Sequence, residues 1–299
     1  HGYITVIGCY LLMMFYTTVS GWMLHYFYLT ATGKFTGLDA DQVGGVFNEM
    51  LSQPLVMAFW MIVVVAIGIF VCSRGLQNGL EKITKVMMIA LLAIMVVLAI
   101  NSIMMDGAAE GLKFYLIPDF ERMKELGIGY TIVAAMNQAF FTLSLGIGAM
   151  EIFGSYMSKE HTLLGESLRI AALDTFVAIM SGLIIFPACF AYGINPGAGP
   201  ELIFITLPNV FIQMPGGRIW GTFFFLFMTF AAFSTIIAVF ENIIACCMDK
   251  WNISRKKSAL INGVIILIAS LPAVFGYNIW SSFQPLGAGS NIQDLEDFV

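Results

Sequence analysis

Neutral oxygen atoms that could act as ligands lie inside one apolar segment of the sequence, at a spacing that suits a small cation. In the run AAFSTIIAVFEN, Ala231, Ser234 and Thr235 are three and four residues apart, so a carbonyl and two hydroxyls share one helix face. Hard cations prefer oxygen ligands, and neutral oxygens suit a monovalent ion. Hydroxyls that bond back to their own helix explain the same spacing. The residues alone leave both interpretations open.

A carboxylate lies in a second apolar segment, ALDTFVAIMSG, which contains Asp174. An ionised carboxylate in mid-membrane is costly unless it is paired. No basic residue lies in any apolar interior of the sequence. The predicted partner is therefore a bound cation, a proton or a group from another segment. The alternative is a carboxylate close to the interface that reaches the headgroups.

A third segment, TIVAAMNQAFFTLSLGIGAMEIFGSYM, combines polar side chains with helix-weakening residues. Gln138 and Thr142 share a face, being four residues apart. Ser144, Gly146 and Gly148 follow, and each glycine weakens a helix by about 1 kcal/mol relative to alanine. This pattern predicts a broken helix around 144–148, whose ends would face a substrate carboxylate and cations. Helix packing through small residues is the alternative.

The composition places these segments in a membrane. The 299 residues are 59% hydrophobic and 11% charged, with a mean hydropathy of +0.86, whereas soluble domains carry about 25% charged residues. The formal net charge of −5 makes nucleic acid an unlikely partner. We therefore predict an all-α, polytopic membrane helix bundle that forms a single transmembrane domain over 1–299. The predicted spans are 3–31, 53–72, 83–105, 127–156, 166–193, 219–247 and 259–280.

The basic residues predict the orientation of the spans. Nine lie in one set of connecting segments and five in the other, which places the first residue on the cytoplasmic side of the cell membrane. The nine are Arg74, Lys82, Lys85, Lys159, Arg169, Lys250, Arg255, Lys256 and Lys257, and the five are Lys34, Lys113, Arg122, Lys124 and Arg218. The proline-rich segment 196–217 cannot be one span. It predicts a loop helix at about 200–213 at the outer mouth, or an interfacial loop.

No sequence motif indicates an enzyme. The chain contains no GxSxG, HExxH or GxxxxGK run, and its five cysteines have no metal-ligand or disulfide spacing. Glu241 lies in an apolar span, and the sequence assigns it no role.

Several runs resemble one known family. QAFFTLSLGIG (138–148) looks like the unwound sixth helix of neurotransmitter:sodium symporters, in particular of bacterial amino-acid transporters similar to the leucine transporter. Supporting runs occur in the family's order. They are RGLQNGLEKITKVMM (74–88), PDFERMK (118–124), GLIIFP (182–187), GPELIFITLPNVF (199–211) and AAFSTIIAVFEN (231–242). The resemblance implies a fragment from the third helix to the start of the tenth, within a partial inverted-repeat fold.

The resemblance also implies roles for individual residues. Tyr16 matches the tyrosine whose hydroxyl meets the substrate carboxylate. Two Na⁺ sites are implied, each completed by segments outside this chain, and Gln138 would support the first of them. The implied substrate pocket is Leu12, Tyr16, Phe141, Ser144, Ile147, Ser234 and Val239. The implied sodium ligands are Thr142 and Asp174 in the first site and Ala231, Ser234 and Thr235 in the second, and the implied outer gate is Phe141 and Asp297.

Together these features predict a sodium-coupled symporter that imports a neutral, hydrophobic amino acid by alternating access. Its partners would be the amino acid, sodium ions and the lipid bilayer. Asp174 and Ala178 stand where chloride-dependent relatives carry a neutral residue and a small hydroxyl residue, which predicts chloride independence. Two alternatives stay open: a secondary carrier of another broken-helix family, and a non-coupled, channel-like membrane subunit.

Overall fold

The computed structural model describes residues 2–75, 77–145, 154, 162–193 and 202–298, and every regular element in this part of the chain is helical. The predicted all-α class is confirmed. A π-helical turn lies at Leu202–Thr206. In chain order the helices are α1 (Gly2–Thr32), α2 (Ala40–Ser52), α3 (Pro54–Arg74), α4 (Gln77–Ile103), α5 (Ala108–Leu116), α6 (Phe120–Leu126), α7 (Ile128–Thr142), α8 (Leu163–Tyr192), α9 (Leu207–Gln213), α10 (Gly217–Trp251), α11 (Arg255–Gly276) and α12 (Ile292–Phe298).

Six helical segments within the described residues are long and apolar enough to cross a membrane. They are Ile4–Thr32, Pro54–Arg74, Lys85–Ile103, Leu163–Tyr192, Gly217–Trp251 and Arg255–Gly276. They correspond to six of the predicted spans. The remaining span, 127–156, begins as α7 and then breaks. On α3, large apolar side chains such as Leu55 (84% exposed) and Phe59 (57% exposed) face outward, as expected of a helix beside lipid.

The acidic connecting segments contain short helices that hydropathy did not predict. Asp39 caps α2 in a reciprocal pair with Gln42, because each side-chain oxygen accepts the other residue's backbone N–H, at 2.8 and 3.1 Å. Asp119 caps α6 in a similar way, accepting the backbone N–H of Arg122 at 3.0 Å. Such caps satisfy backbone donors that a helix start leaves free. The π-helical turn and α9 occupy the segment where a loop helix was predicted.

Residues 1–91 and 211–299 form one compact unit. In this unit α1 packs against α3, α10 and α11, and α3 also packs against α11. A Cβ at Gly21 would lie 2.9 Å from the backbone nitrogen of Met61, so α1 and α3 can approach this closely only because residue 21 is glycine. The hydroxyls of Thr17 and Ser270 join α1 to α11 at 3.0 Å. Small residues and interhelical hydrogen bonds are the usual cohesive elements between membrane helices.

Residues 92–210 form a second compact unit. Here α5 packs on α8, and a Cβ at Gly111 would lie 2.5 Å from the carbonyl oxygen of Phe186. The Tyr115 hydroxyl donates to the carbonyl of Ala178 at 3.4 Å, and α7 packs against α6. The π-helical turn contacts α8, where the Thr206 hydroxyl lies 3.6 Å from a cysteine thiol of that helix. α8 is therefore the helix against which α5 and the π-helical turn of this unit pack.

Candidate functional site

The predicted helix break is present where α7 ends, at Thr142. Ser144 adopts a left-handed conformation with φ of 53°. Its N–H donates to the carbonyl of Phe141 at 3.0 Å, and the N–H of Leu145 donates to that of Phe140 at 2.9 Å. This pair of bonds is a Schellman motif, which ends a helix by turning the chain out of it. The helix thus stops in the middle of an apolar segment, as the sequence predicts.

Two predicted sodium ligands meet next to this break. The Thr142 hydroxyl donates to the Asp174 carboxylate on α8, with 2.8 Å between Oγ1 and Oδ1. Within the described residues, no Lys or Arg forms an ion pair with Asp174. A carboxylate and a hydroxyl are both hard oxygen ligands, so the pair offers a cation two suitable contacts. The resemblance had assigned both residues to the first sodium site.

Two other predicted residues lie on α7 near this pair. Gln138 is exposed and lies one helical turn before Thr142, on the same face. The ring of Phe141 is 56% exposed, so it is not packed into the core of its own unit. An aromatic side chain left open in this way remains able to contact a ligand.

The second group of predicted residues lies on α1 and α10, which pack against each other. Tyr16 lies on α1 and Thr235 lies on α10. The Ser234 hydroxyl donates to the carbonyl of Ala231 at 2.7 Å, within its own helix. Ser234 therefore makes the back-bond that was the alternative interpretation.

The predicted apolar pocket residues of this unit differ in burial. Leu12 lies one turn before Tyr16 on α1 and is partly exposed. Val239 on α10 is 1% exposed, so its side chain packs inside its unit. Three other residues of the predicted break and pocket, Gly146, Ile147 and Gly148, lie outside the described residues, as does the side chain of Asp297.

A buried ion pair gives Glu241 a partner that the sequence did not indicate. Glu241 is 9% exposed on α10, and both of its carboxylate oxygens accept from the Arg255 guanidinium at 2.7 Å. Arg255 also donates to the carbonyl of Cys72 at 3.3 Å, which ties α3 to the pair. Arg255 is the first residue of α11, and its side chain, 33% exposed, reaches back to contact both α10 and α3. A bidentate pair of this kind fixes orientation as well as charge.

Glu296 on α12 is a second buried acid that the sequence analysis missed. It is 7% exposed, and neither carboxylate oxygen has a hydrogen-bond partner within the described residues. α12 packs against α1 and α11. Burial raises the pKa of Glu296 to about 7, because an apolar environment disfavours the charged form.

The stability of the protein should therefore depend on pH through Glu296. Its pKa is about 7 in the fold against an ordinary value of 4.5, so the folded state binds the proton more tightly than the unfolded chain. The free energy of unfolding should fall as the pH rises from 4.5 to about 7, and then level off. Thermal unfolding in detergent between these values should show a smaller fall in Glu296→Gln. An unaltered fall in that variant, matching the exposed control Glu49→Gln, would contradict the assignment.

The chain is similar to known proteins in both sequence and structure. The sequence matches the profile of the Sodium:neurotransmitter symporter family over residues 46–279. A Bacillus subtilis (strain 168) protein described as "Uncharacterized sodium-dependent transporter YhdH" is 33% identical over 298 residues, covering 100% of this chain and 65% of the relative. A Haemophilus influenzae protein described as "Uncharacterized sodium-dependent transporter" is 29% identical over 303 residues, with coverages of 100% and 65%.

A solved structure agrees with these sequence matches. The crystal structure of MhsT in complex with L-phenylalanine superposes with a TM-score of 0.93 at 36% identity, covering 99% of this chain and 66% of that one. The chain thus spans slightly less than two-thirds of the length of these relatives. The resemblance inferred from the sequence runs is confirmed, and the apolar helices are those of a multi-pass membrane protein. Since the profile matches most of the sequence, this chain belongs to the sodium:neurotransmitter symporter family.

Proposed function

We propose that the chain is part of a sodium-coupled symporter that imports a neutral, hydrophobic amino acid by alternating access. The observation that carries the proposal is the contact between Thr142 and Asp174 beside the helix break. A membrane carboxylate whose described contact is a hydroxyl, and not a cationic side chain, requires a positive charge from elsewhere. Sodium ions transported with the substrate supply that charge.

Two sodium sites would use oxygen ligands, one set on each unit. Asp174 and Thr142, supported by Gln138, would bind the first ion. The carbonyl of Ala231 and the hydroxyls of Ser234 and Thr235 would bind the second. Neutral oxygens and a single carboxylate match the ligand preference of a hard monovalent cation, and segments beyond this chain would complete each site.

The substrate class follows from the proposed pocket. Tyr16 would donate a hydrogen bond to the carboxylate of the amino acid. Of the residues that the family resemblance assigns to the substrate side chain, Leu12, Phe141, Ile147 and Val239 are apolar, and Ser144 and Ser234 are small and polar. A mostly apolar lining favours an apolar ligand. The relative MhsT was crystallised with L-phenylalanine, which supports an aromatic or aliphatic substrate.

Competition binding tests the function and its substrate class together. Purified full-length protein should bind labelled L-phenylalanine in sodium buffer and lose that binding when choline replaces sodium. Unlabelled Leu, Trp and Tyr should compete, whereas Lys and Glu should not, because burying an unpaired charge in this pocket is costly. Competition by Lys or Glu alone would contradict the pocket. Passive ion conductance without sodium-dependent binding would favour the channel-like alternative.

The proposed orientation places the first residue in the cytoplasm and the outer gate, Phe141 and Asp297, on the outer side of the cell membrane. In a background without the five native cysteines, Lys34→Cys should react with an impermeant maleimide in intact cells. Lys256→Cys should react only after permeabilisation, because its basic segment lies inside. The reverse labelling pattern would contradict this orientation.

A further inference from the structure

A small cavity lies where the end of α1 meets α2 and the start of α3. Its volume is about 140 Å³, close to the roughly 150 Å³ that holds a benzene molecule in a protein core. Val46 and Met50, both buried, form its apolar side together with Leu29. Lys34 and Glu49 lie on its polar side. The cavity therefore suits a small molecule that has an apolar group and a charged head.

The two charged groups of this cavity have opposite signs and do not pair with each other. Among the described residues, neither Lys34 nor Glu49 forms an ion pair. One carboxylate oxygen of Glu49 accepts a hydrogen bond from the side-chain amide of Gln53 at 3.2 Å. The guanidinium of Arg218 donates instead to the carbonyl of Ala31, at 2.5 and 3.2 Å. One positive and one negative group therefore remain available to a ligand that carries both charges.

The backbone holds Lys34 at the cavity through the way in which α1 ends. Gly33 adopts a left-handed conformation with φ of 80°. Its N–H donates to the carbonyl of Thr30 at 3.1 Å, and the N–H of Lys34 donates to the carbonyl of Leu29 at 2.9 Å. This pair of bonds is a Schellman motif. The charge of Lys34 is thus carried by ordered backbone, which reduces the entropy that is lost when a ligand binds.

We propose that this cavity binds a small zwitterionic amino acid, such as L-valine, at a site separate from the proposed transport pocket. The carboxylate of the ligand contacts Lys34, its ammonium group contacts Glu49, and its side chain packs on the apolar side of the cavity. Tyr16 lies nine residues before the cavity residue His25 on α1, which is about 13 Å along a helix. The proposed transport pocket uses no residue of α2 or α3. The inference therefore does not depend on the proposed function.

Three ligands with similar apolar groups separate the contributions of the two charges. L-Valine carries an ammonium group and a carboxylate, isovalerate lacks the ammonium group, and isobutylamine lacks the carboxylate. In sodium-free choline buffer, labelled L-valine should bind to purified full-length protein. Each singly charged analogue should compete about fivefold more weakly than unlabelled L-valine, because it loses one ion pair at an exposed side chain. L-Phenylalanine should not compete, since a benzene ring alone fills about 150 Å³.

Four variants test the site in the same choline buffer. Lys34→Gln and Glu49→Gln should each weaken L-valine binding about fivefold. Asp41→Asn removes an exposed acid of α2 that does not line the cavity, and it should bind like the wild type. Tyr16→Phe, in the transport pocket, should also leave this binding unaltered.

The outcomes distinguish this site from the proposed transport function. No binding of L-valine by the wild type in choline would overturn the inference. So would binding by Lys34→Gln and Glu49→Gln as tight as that of Asp41→Asn, or loss of binding in Tyr16→Phe. A failure of the transport proposal would appear elsewhere, as L-phenylalanine binding that does not depend on sodium.

Discussion

Asp174→Asn should lower sodium-dependent uptake about a hundredfold in chloride-free medium, while the wild type transports normally there. A cation in a site of low dielectric constant needs a compensating negative charge, and the Asp174 carboxylate would supply a fixed one. Its Oδ1 already accepts a hydrogen bond from Thr142 at 2.8 Å, so the carboxylate is positioned for a ligand. Ala178, one turn later on α8, has no hydroxyl that could hold chloride instead.

Uptake of labelled L-phenylalanine in gluconate and in chloride measures this effect. Glu166→Gln is the matched control, because Glu166 lies on the same helix and pairs with Arg169 near the helix start. That control should transport like the wild type in both media. Strong chloride dependence of the wild type would refute the compensating role of Asp174. Full activity of Asp174→Asn without any added anion would refute it equally.

Arg255→Gln should lower the free energy of unfolding by about 3 kcal/mol. The substitution removes the guanidinium from a carboxylate, Glu241, whose side chain is 12% exposed. An acid buried among apolar helices then keeps its desolvation cost and loses its bidentate partner. The carbonyl of Cys72 loses its contact with Arg255 as well. Thermal unfolding in detergent should show the loss as a lower midpoint.

Two further variants separate the charge from the packing. The double variant Glu241→Gln with Arg255→Gln removes both charges and should recover most of the lost stability, because no buried charge remains. Lys256→Gln changes an exposed cation beside Arg255 and should leave the midpoint unchanged. If the double variant were as unstable as Arg255→Gln, the uncompensated charge would not be the cause.

The helix break could be predicted because it depends on local residue preferences, but its geometry could not. Glycines near 146–148 weaken a helix wherever they occur. Which residue adopts the left-handed conformation depends on where the closing backbone hydrogen bonds form at the end of α7, and it is Ser144. The contact between Thr142 and Asp174 joins positions 32 residues apart. Only the family resemblance paired these residues, because periodicity describes single helices.

The two buried acids show what hydropathy misses. Glu241 receives its partner from a residue 14 positions later, after the chain has turned and begun α11. Glu296 is buried because α12 packs on α1 and α11, although two aspartates lie close to it in the sequence. The family resemblance instead pointed to its neighbour Asp297. Tertiary packing decides the burial of acids in short helices, and a single sequence contains little information about it.

The left-handed conformation of Ser144 bears on how this protein can diverge. A residue with a Cβ pays roughly 1 kcal/mol to occupy that region, and glycine does not. Glycine at 144 would keep the turn and delete the hydroxyl, whereas asparagine would tolerate the turn and carry a larger polar group. A β-branched residue would strain the turn, even where, as in threonine, it keeps the hydroxyl. Substitutions at position 144 can therefore change the geometry of the turn and the polar group beside it independently.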